Sequence, residues 1–225
     1  MSRVIQMNSR IFLSFLFLIF IQQLTFAQNK DSTNNYLKGR SGIDLNIGIY
    51  DNTSTTTITV SPTVVTTNAA TGFMGSISYQ YWFEEYLSLR GGIGALLISA
   101  NTTSGSTQIS TETVSILPML VGVNFYPIQI NKQSNILPYI SGYIGPYVGI
   151  YTLNLVATTT VKSESIVETA FGARLGAGLD FLIGDVFKLG VGIAYHFITD
   201  FSRPIGGETN YSGPEYSVSF GIVFN

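Results

Sequence analysis

The chain has 225 residues, of which 45% are hydrophobic and only 11% charged, with a net charge of −2, a mean hydropathy of +0.31 and no cysteine. The slightly acidic balance excludes a basic nucleic-acid binder, and the lack of cysteine excludes a small exported domain held by disulfides. With 23 Gly, 13 Tyr and 15 Phe, the composition is that of one domain stabilised by closed backbone hydrogen bonding.

Residues 1–27 read as an export signal. Arg3 and Arg10 form the positive front, the run from Ile11 to Ile21 is the apolar core, and Thr25-Phe26-Ala27 precedes the expected cleavage. That core is too short to cross a bilayer as a helix, which needs about 20 apolar residues. An uncleaved N-terminal anchor is the competing reading, disfavoured by the short core and the polar stretch behind it. Cleavage removes two arginines, leaving nine basic residues against 13 acidic ones, a net charge of −4. Residues 28–40 are polar and read as a short flexible lead-in on the periplasmic side. Residues 41–225 form the remaining domain.

That domain alternates with a period of two, as half-buried strands do. In 42–50, Ile43, Leu45, Ile47 and Ile49 oppose Asp44, Asn46 and Gly48. In 72–83, Phe73, Ile77, Tyr79, Tyr81 and Phe83 oppose Met74, Ser76, Ser78, Gln80 and Trp82. A turn at Glu84-Glu85 leads into 86–98, where Leu87, Leu89, Ile93, Ala95 and Leu97 oppose Ser88, Arg90, Gly92 and Gly94. The fourth strand, 113–126, is weaker, because both of its faces are partly apolar. In 137–151 an Ile/Val row (140, 144, 148, 150) alternates with Tyr139, Tyr143, Tyr147 and Tyr151, and the Ile/Val row is placed toward lipid. In 169–183, Phe171, Leu175, Leu179 and Phe181 oppose Gly172, Arg174, Gly176, Gly178 and Asp180. After Gly184-Asp185, the strand 186–197 sets Phe187, Leu189, Val191, Ile193, Tyr195 and Phe197 against Lys188, Gly190, Gly192, Ala194 and His196.

The eighth strand, 215–224, carries Tyr216, Val218, Phe220, Ile222 and Phe224 on one face, with mostly small or polar residues between. Connections alternate in length: short at 84–85, 127–136 and 184–185, long at 51–71, 99–112, 152–168 and 198–214. Eight strands near the ~10 residues a tilted membrane strand needs, with short turns at one end and long loops at the other, predict an all-β, eight-stranded antiparallel up-and-down transmembrane β-barrel. The long connections, rich in Thr, Ser, Asn and Gly, suit solvated loops. Their Thr and Val content allows the sheet to continue as hairpins past the membrane.

In hydrocarbon a charge at the midplane costs about 2–4 kcal/mol, so charges belong inside. Asp44, Arg90, Arg174, Asp180, Lys188, His196 and Glu215 all fall on the inward set. The lumen of an eight-stranded barrel is just filled by side chains. Asp44, Arg90, Asp180 and Lys188 therefore are expected to meet as an interior ion cluster, with Arg174 near mid-depth and Glu215 in the same interior polar set. A register-fixing plug is preferred over a polar conduit or gate, because the lumen is too narrow for a water column. Aromatics at both strand ends, among them Tyr81, Phe125, Phe187, Phe73 and Phe197, mark the two interfaces.

The signal, the eight strands and the Tyr216–Phe224 terminus together resemble the small outer-membrane barrels of the OmpA/OmpX type, over about residues 42–225. The resemblance implies a place in the cell outer membrane, contact with its lipid and both termini in the periplasm. It also implies insertion by the barrel-insertion machinery reading Tyr216, Val218, Phe220, Ile222 and Phe224. Members usually end on the aromatic itself, whereas here Asn225 follows Phe224.

Catalysis finds little support. His196 is the one histidine, and barrels that deacylate lipid A place a Ser two residues after their His, where this chain has Ile198. Alternation also turns His196 inward, away from lipid. One histidine and no cysteine give no metal set, and no cofactor motif is present. The expected role is structural or adhesive, through surface loops. A narrow porin-like pore or a conduit for small hydrophobic molecules is the alternative, an enzyme acting on lipid is the weakest of the membrane readings, and a soluble lipocalin-like barrel would need polar outer faces.

Overall fold

The computed structural model describes residues 37–52, 56–60, 63–67, 71–104, 108–127, 135–157 and 160–225. The expected signal, most of the lead-in and residues 128–134 of the expected short connection 127–136 lie outside them. Ten strands follow in chain order: β1 (Ser41–Asp51), β2 (Thr56–Val60), β3 (Thr63–Thr67), β4 (Thr71–Glu84), β5 (Leu87–Ser104), β6 (Gln108–Phe125), β7 (Ile136–Ala157), β8 (Thr160–Ile183), β9 (Phe187–Ile198) and β10 (Gly213–Phe224).

Eight of them close into an antiparallel barrel in the order β1-β10-β9-β8-β7-β6-β5-β4, and β2 and β3 form a separate hairpin. Closure is made by β1 against β10, from Ser41↔Phe224 to Tyr50↔Glu215. A ring of this kind pairs its backbone groups without leaving an edge, the condition for crossing hydrocarbon with strands. The alternation resolves as expected. The Ile row of β1, Phe73 and Ile77 of β4, Ile140 and Ile144 of β7, Leu175 of β8, Val191 and Ile193 of β9 and Val218 and Phe220 of β10 are all exposed on the outer wall. Tyr143 and Tyr147 turn inward and are buried. Aromatics gather near both rims, with Tyr86 against Phe125 and Phe187 against Phe220 at the end where β1 starts and β10 finishes, and half-buried Tyr195 against exposed Phe197 at the other.

The wall is uneven in height. β1, β9 and β10 have 11, 12 and 12 residues, whereas β5 to β8 have 18, 18, 22 and 24. Much of what the sequence offers as loops 99–112 and 152–168 is therefore strand. Thr and Ser tracts pair with each other across the strands, as in Thr102↔Thr111 and Thr152↔Ser165. The connection 51–71 likewise contains the β2–β3 hairpin.

The connection 198–214 departs furthest from a solvated loop. Phe201, Ile205 and Tyr211 are buried against Tyr50, Leu96, Ile98, Val114, Ile116 and Tyr147, and form an apolar lid over the mouth of the ring. Positive φ at Gly206 (59°) and Gly207 (93°) turns the chain inward there. The loop is tied by Phe201 N–H to Thr209 O at 2.8 Å, by Asn210 to Asp200 at 2.7 Å, and by hydrogen bonds from the Tyr50 hydroxyl to Tyr211 O and from the Tyr211 hydroxyl to Ile205 O. Burial pushes the Tyr211 phenol up.

The other end is closed as well. Residues 37–40, expected as the end of a flexible lead-in, are tied to the barrel. Leu37 is 1% exposed and joins Trp82, Tyr126, Leu137, Leu182 and Val223 in an apolar floor. Gly39 N–H bonds Trp82 O at 2.7 Å. Lys38 bonds Glu84 at 2.9 Å, and the hydrogen bond and charge of that carboxylate raise the lysine's pKa.

Candidate functional site

Between floor and lid lies a polar network held by all eight ring strands. Its lower half, nearer the end where β1 starts and β10 finishes, centres on Lys188 of β9. The ammonium donates to Asp44 Oδ2 and Gln80 Oε1, each at 2.9 Å, and lies 3.4 Å from Asp180 Oδ2. It also sits 5.4 Å from the Trp82 ring centroid. Asp180 accepts from the Tyr126 hydroxyl at 3.3 Å. Arg90 donates through Nε to Ser78 at 2.8 Å and through Nη2 to Asn46 at 3.1 Å, with Asp44 Oδ2 at 3.5 Å.

The upper half centres on Glu215 of β10. Arg174 of β8 grips it through Nε and Nη2, both at 2.7 Å, the paired geometry that suits a guanidinium and a carboxylate. His196 Nε2 lies 2.8 Å from Glu215 Oε2, and Ser217 donates to Oε1 at 2.8 Å. His196 Nδ1 pairs with the Tyr147 hydroxyl at 2.9 Å, and the Arg174 guanidinium stands 5.3 Å from the Tyr143 ring centroid. Both ring nitrogens of His196 are thus engaged inside the lumen, with none turned to lipid.

The residues singled out in the sequence are accordingly placed in two groups. Asp44, Arg90, Asp180 and Lys188 meet in the lower one. Arg174 and Glu215 form the upper one with His196. Sequence reasoning missed the neutral groups that complete the network: Asn46, Ser78, Gln80, Tyr126, Tyr143 and Tyr147. Their signal was present in the inward parity of each strand.

Close backbone approach is part of the site. A Cβ at Gly221 would collide with Asp44 Oδ1 and stand 3.2 Å from Lys188 Cε. Gly221→Ala is expected to push the Asp44 carboxylate off Lys188 and destabilise the barrel by about 1–3 kcal/mol, the range of overpacking changes. Urea unfolding in lipid vesicles measures it, and a loss below about 0.5 kcal/mol would mean that the carboxylate has room to move.

The Outer membrane protein beta-barrel domain model matches residues 13–224. The chain belongs to that family of outer-membrane β-barrels. One solved barrel shares its fold, and others are similar to it in part. Ail, the attachment invasion locus protein of Yersinia pestis, solved with the heparin analogue sucrose octasulfate, is 16% identical over 83% of this chain and 99% of its own, with a TM-score of 0.51. OprG of Pseudomonas aeruginosa is 14% identical over 86% and 100%, with a TM-score of 0.49. Neisserial surface protein A is 14% identical over 83% and 97%, with a TM-score of 0.46. At 16% identity the likeness to Ail is one of fold. No curated protein matches the chain. Membership of the family places this barrel in the outer membrane, and its exposed Ile, Leu, Val and Phe rows form the outer wall.

Proposed function

We propose that this outer-membrane barrel is a closed, non-conducting anchor that acts through the surface it raises at the loop end, in a structural or adhesive role. The observation that carries this reading is the filled lumen: an apolar floor, two ion networks and an apolar lid follow one another along the axis. A pore or a hydrophobic conduit needs a through passage, which such a filling opposes. β7 and β8 outrun β9 by roughly ten residues, on the order of 30 Å of strand. A wall of that height is surplus to crossing the bilayer, which takes about 9–11 residues per strand.

In this reading residues 1–27 are removed near Ala27 and both termini face the periplasm. The barrel-insertion machinery engages the outward row Tyr216, Val218, Phe220, Ile222 and Phe224 of β10. Catalysis on lipid is disfavoured by the inward, doubly engaged His196.

The test is planar-bilayer recording of the refolded protein. No conductance above the lipid baseline is expected. Reproducible single-channel steps would overturn the closed-anchor reading in favour of a pore.

A further inference from the structure

Above the rim the raised wall has an open side. β7 runs beside β8 up to Ala157↔Thr160, whereas β9 accompanies β8 only as far as Gly172↔Ile198. The chain leaves that flank because the lid turns inward to bury Phe201 and Ile205 over the mouth. Thr199 is the last described residue there to bond the β8 backbone. Its N–H donates to Phe171 O at 2.9 Å, and its hydroxyl accepts from Phe171 N–H at 3.1 Å. From Phe171 to Thr160 the register of β8 against β7 is unbroken, so alternation points the N–H and C=O groups of Val161, Ser163, Ser165 and Val167 to the same flank. No described strand lies there to receive them.

An open ladder is a template for one more strand. The chemistry around this one is acidic. On the face turned over the lid, register sets Glu112 of β6, Leu153 of β7 and Glu164 of β8 in one row. The two carboxylates are thus two strand spacings apart, about 10 Å. Burial, and then the charges of Glu112 and Glu164, raise the pKa of Tyr151, two residues below Leu153 on that face. Both carboxylates are exposed, and neither meets a cation among the described side chains, whereas Glu168, nearer the rim, is held by Arg203.

We propose that the upper edge of β8, residues 161–167, docks an extended segment of another protein as one further strand of the raised sheet, with a lysine or arginine of that segment facing Glu164. The inference rests on the reading that the barrel acts through its loop end, and it names the class of partner. Backbone hydrogen bonds to Val161, Ser163, Ser165 and Val167 hold the segment whatever its sequence. The charge selects it. Opposite charges facing each other on neighbouring strands attract, and like charges there are destabilising. A second copy of this chain joining edge to edge brings Glu164 toward its own counterpart, so the same carboxylate that favours a cationic partner opposes self-pairing. On the other face of the edge, Ser163, Ser165 and Val167 are exposed and small, and demand little of the partner's remaining side chains.

The experiment uses the refolded full-length barrel in phospholipid nanodiscs and fluorescently labelled, end-capped heptapeptides, read by anisotropy. One peptide alternates lysine with valine, a second has glutamate in place of lysine, and a third is the lysine peptide N-methylated at every amide. The lysine peptide is expected to bind about tenfold more tightly than the glutamate peptide, the sense that facing charges dictate. N-methylation removes the donors of the ladder and is expected to abolish binding. Ser165→Pro takes one donor from the open flank and none from the β7 ladder, so it is expected to weaken the lysine peptide about tenfold and leave the gel migration of the folded barrel unchanged. Glu164→Lys is expected to reverse the preference between the two charged peptides. Equal affinity for those two, undiminished binding of the N-methylated peptide, or no binding of any peptide would overturn the proposal, and these arms need no variant. Conductance separates it from the reading beneath it. Channel steps with lysine-peptide binding intact sink the closed anchor alone, and a silent bilayer without peptide binding sinks the docking edge alone.

Discussion

Glu215→Ala is expected to lower the stability of the barrel by about 3–5 kcal/mol, the range for removing one partner of a buried ion pair. Glu215 is fully buried and accepts four hydrogen bonds, two from Arg174 and one each from His196 and Ser217. Removing it strands a guanidinium that has no other carboxylate in contact. The cost arises from that stranded charge more than from the lost attraction. Glu215→Gln, which keeps an acceptor but not the charge, is expected to fall between the wild type and the alanine variant. Glu215→Ala combined with Arg174→Met is expected to recover most of the loss, because two apolar groups of suitable size can replace a buried pair at little cost. Urea unfolding in phospholipid vesicles, followed by the fluorescence of the lone Trp82, measures all three variants. A loss under about 1 kcal/mol for the alanine variant, with no recovery in the double variant, would show that Arg174 is solvated well enough to stand alone.

Ile193→Arg is the second large effect, expected at about 2–4 kcal/mol for a cation near the bilayer midplane. Ile193 is 60% exposed on the outer wall and sits between Ala177 and Tyr216, well inside β9. Phe187→Arg, at the first residue of the same strand, is expected to cost only about 0–1 kcal/mol, because an arginine there reaches the headgroups. The contrast with depth is the informative quantity. A water-facing wall would give changes within about 0.5 kcal/mol at both positions, and that result would sink the lipid-facing assignment and restore the lipocalin-like alternative.

The ring was legible because its chemistry is written with a period of two. Alternation at Ile43–Ile49 or at Phe187–Phe197 dictates which side chains face outward, and it sends Asp44, Lys188 and Glu215 inward without reference to any other strand. What alternation cannot supply is the choice of partner across the lumen. Lys188 meets Asp44 from 144 residues away, a pairing fixed by strand order and register. The split into two ion groups was hidden for the same reason. The lid was missed because Phe201, Ile205 and Tyr211 share no period and are embedded among Gly, Thr, Asn and Ser, a composition that reads as solvated. The height of β5–β8 was underestimated because Thr and Ser tracts look like loop until a neighbouring strand is available to pair with them.

The seam between β1 and β10 makes the cylinder an all-or-none object. Ser41 has no lateral neighbour on that flank until Phe224 reaches it, almost the whole length of the chain later. Seven strands in place leave two raw margins, each a row of naked amides and carbonyls that oil cannot tolerate. Losing a handful of residues from the tail therefore does not shorten the molecule; it unzips it, and every truncated copy carries a template for sticking to the next.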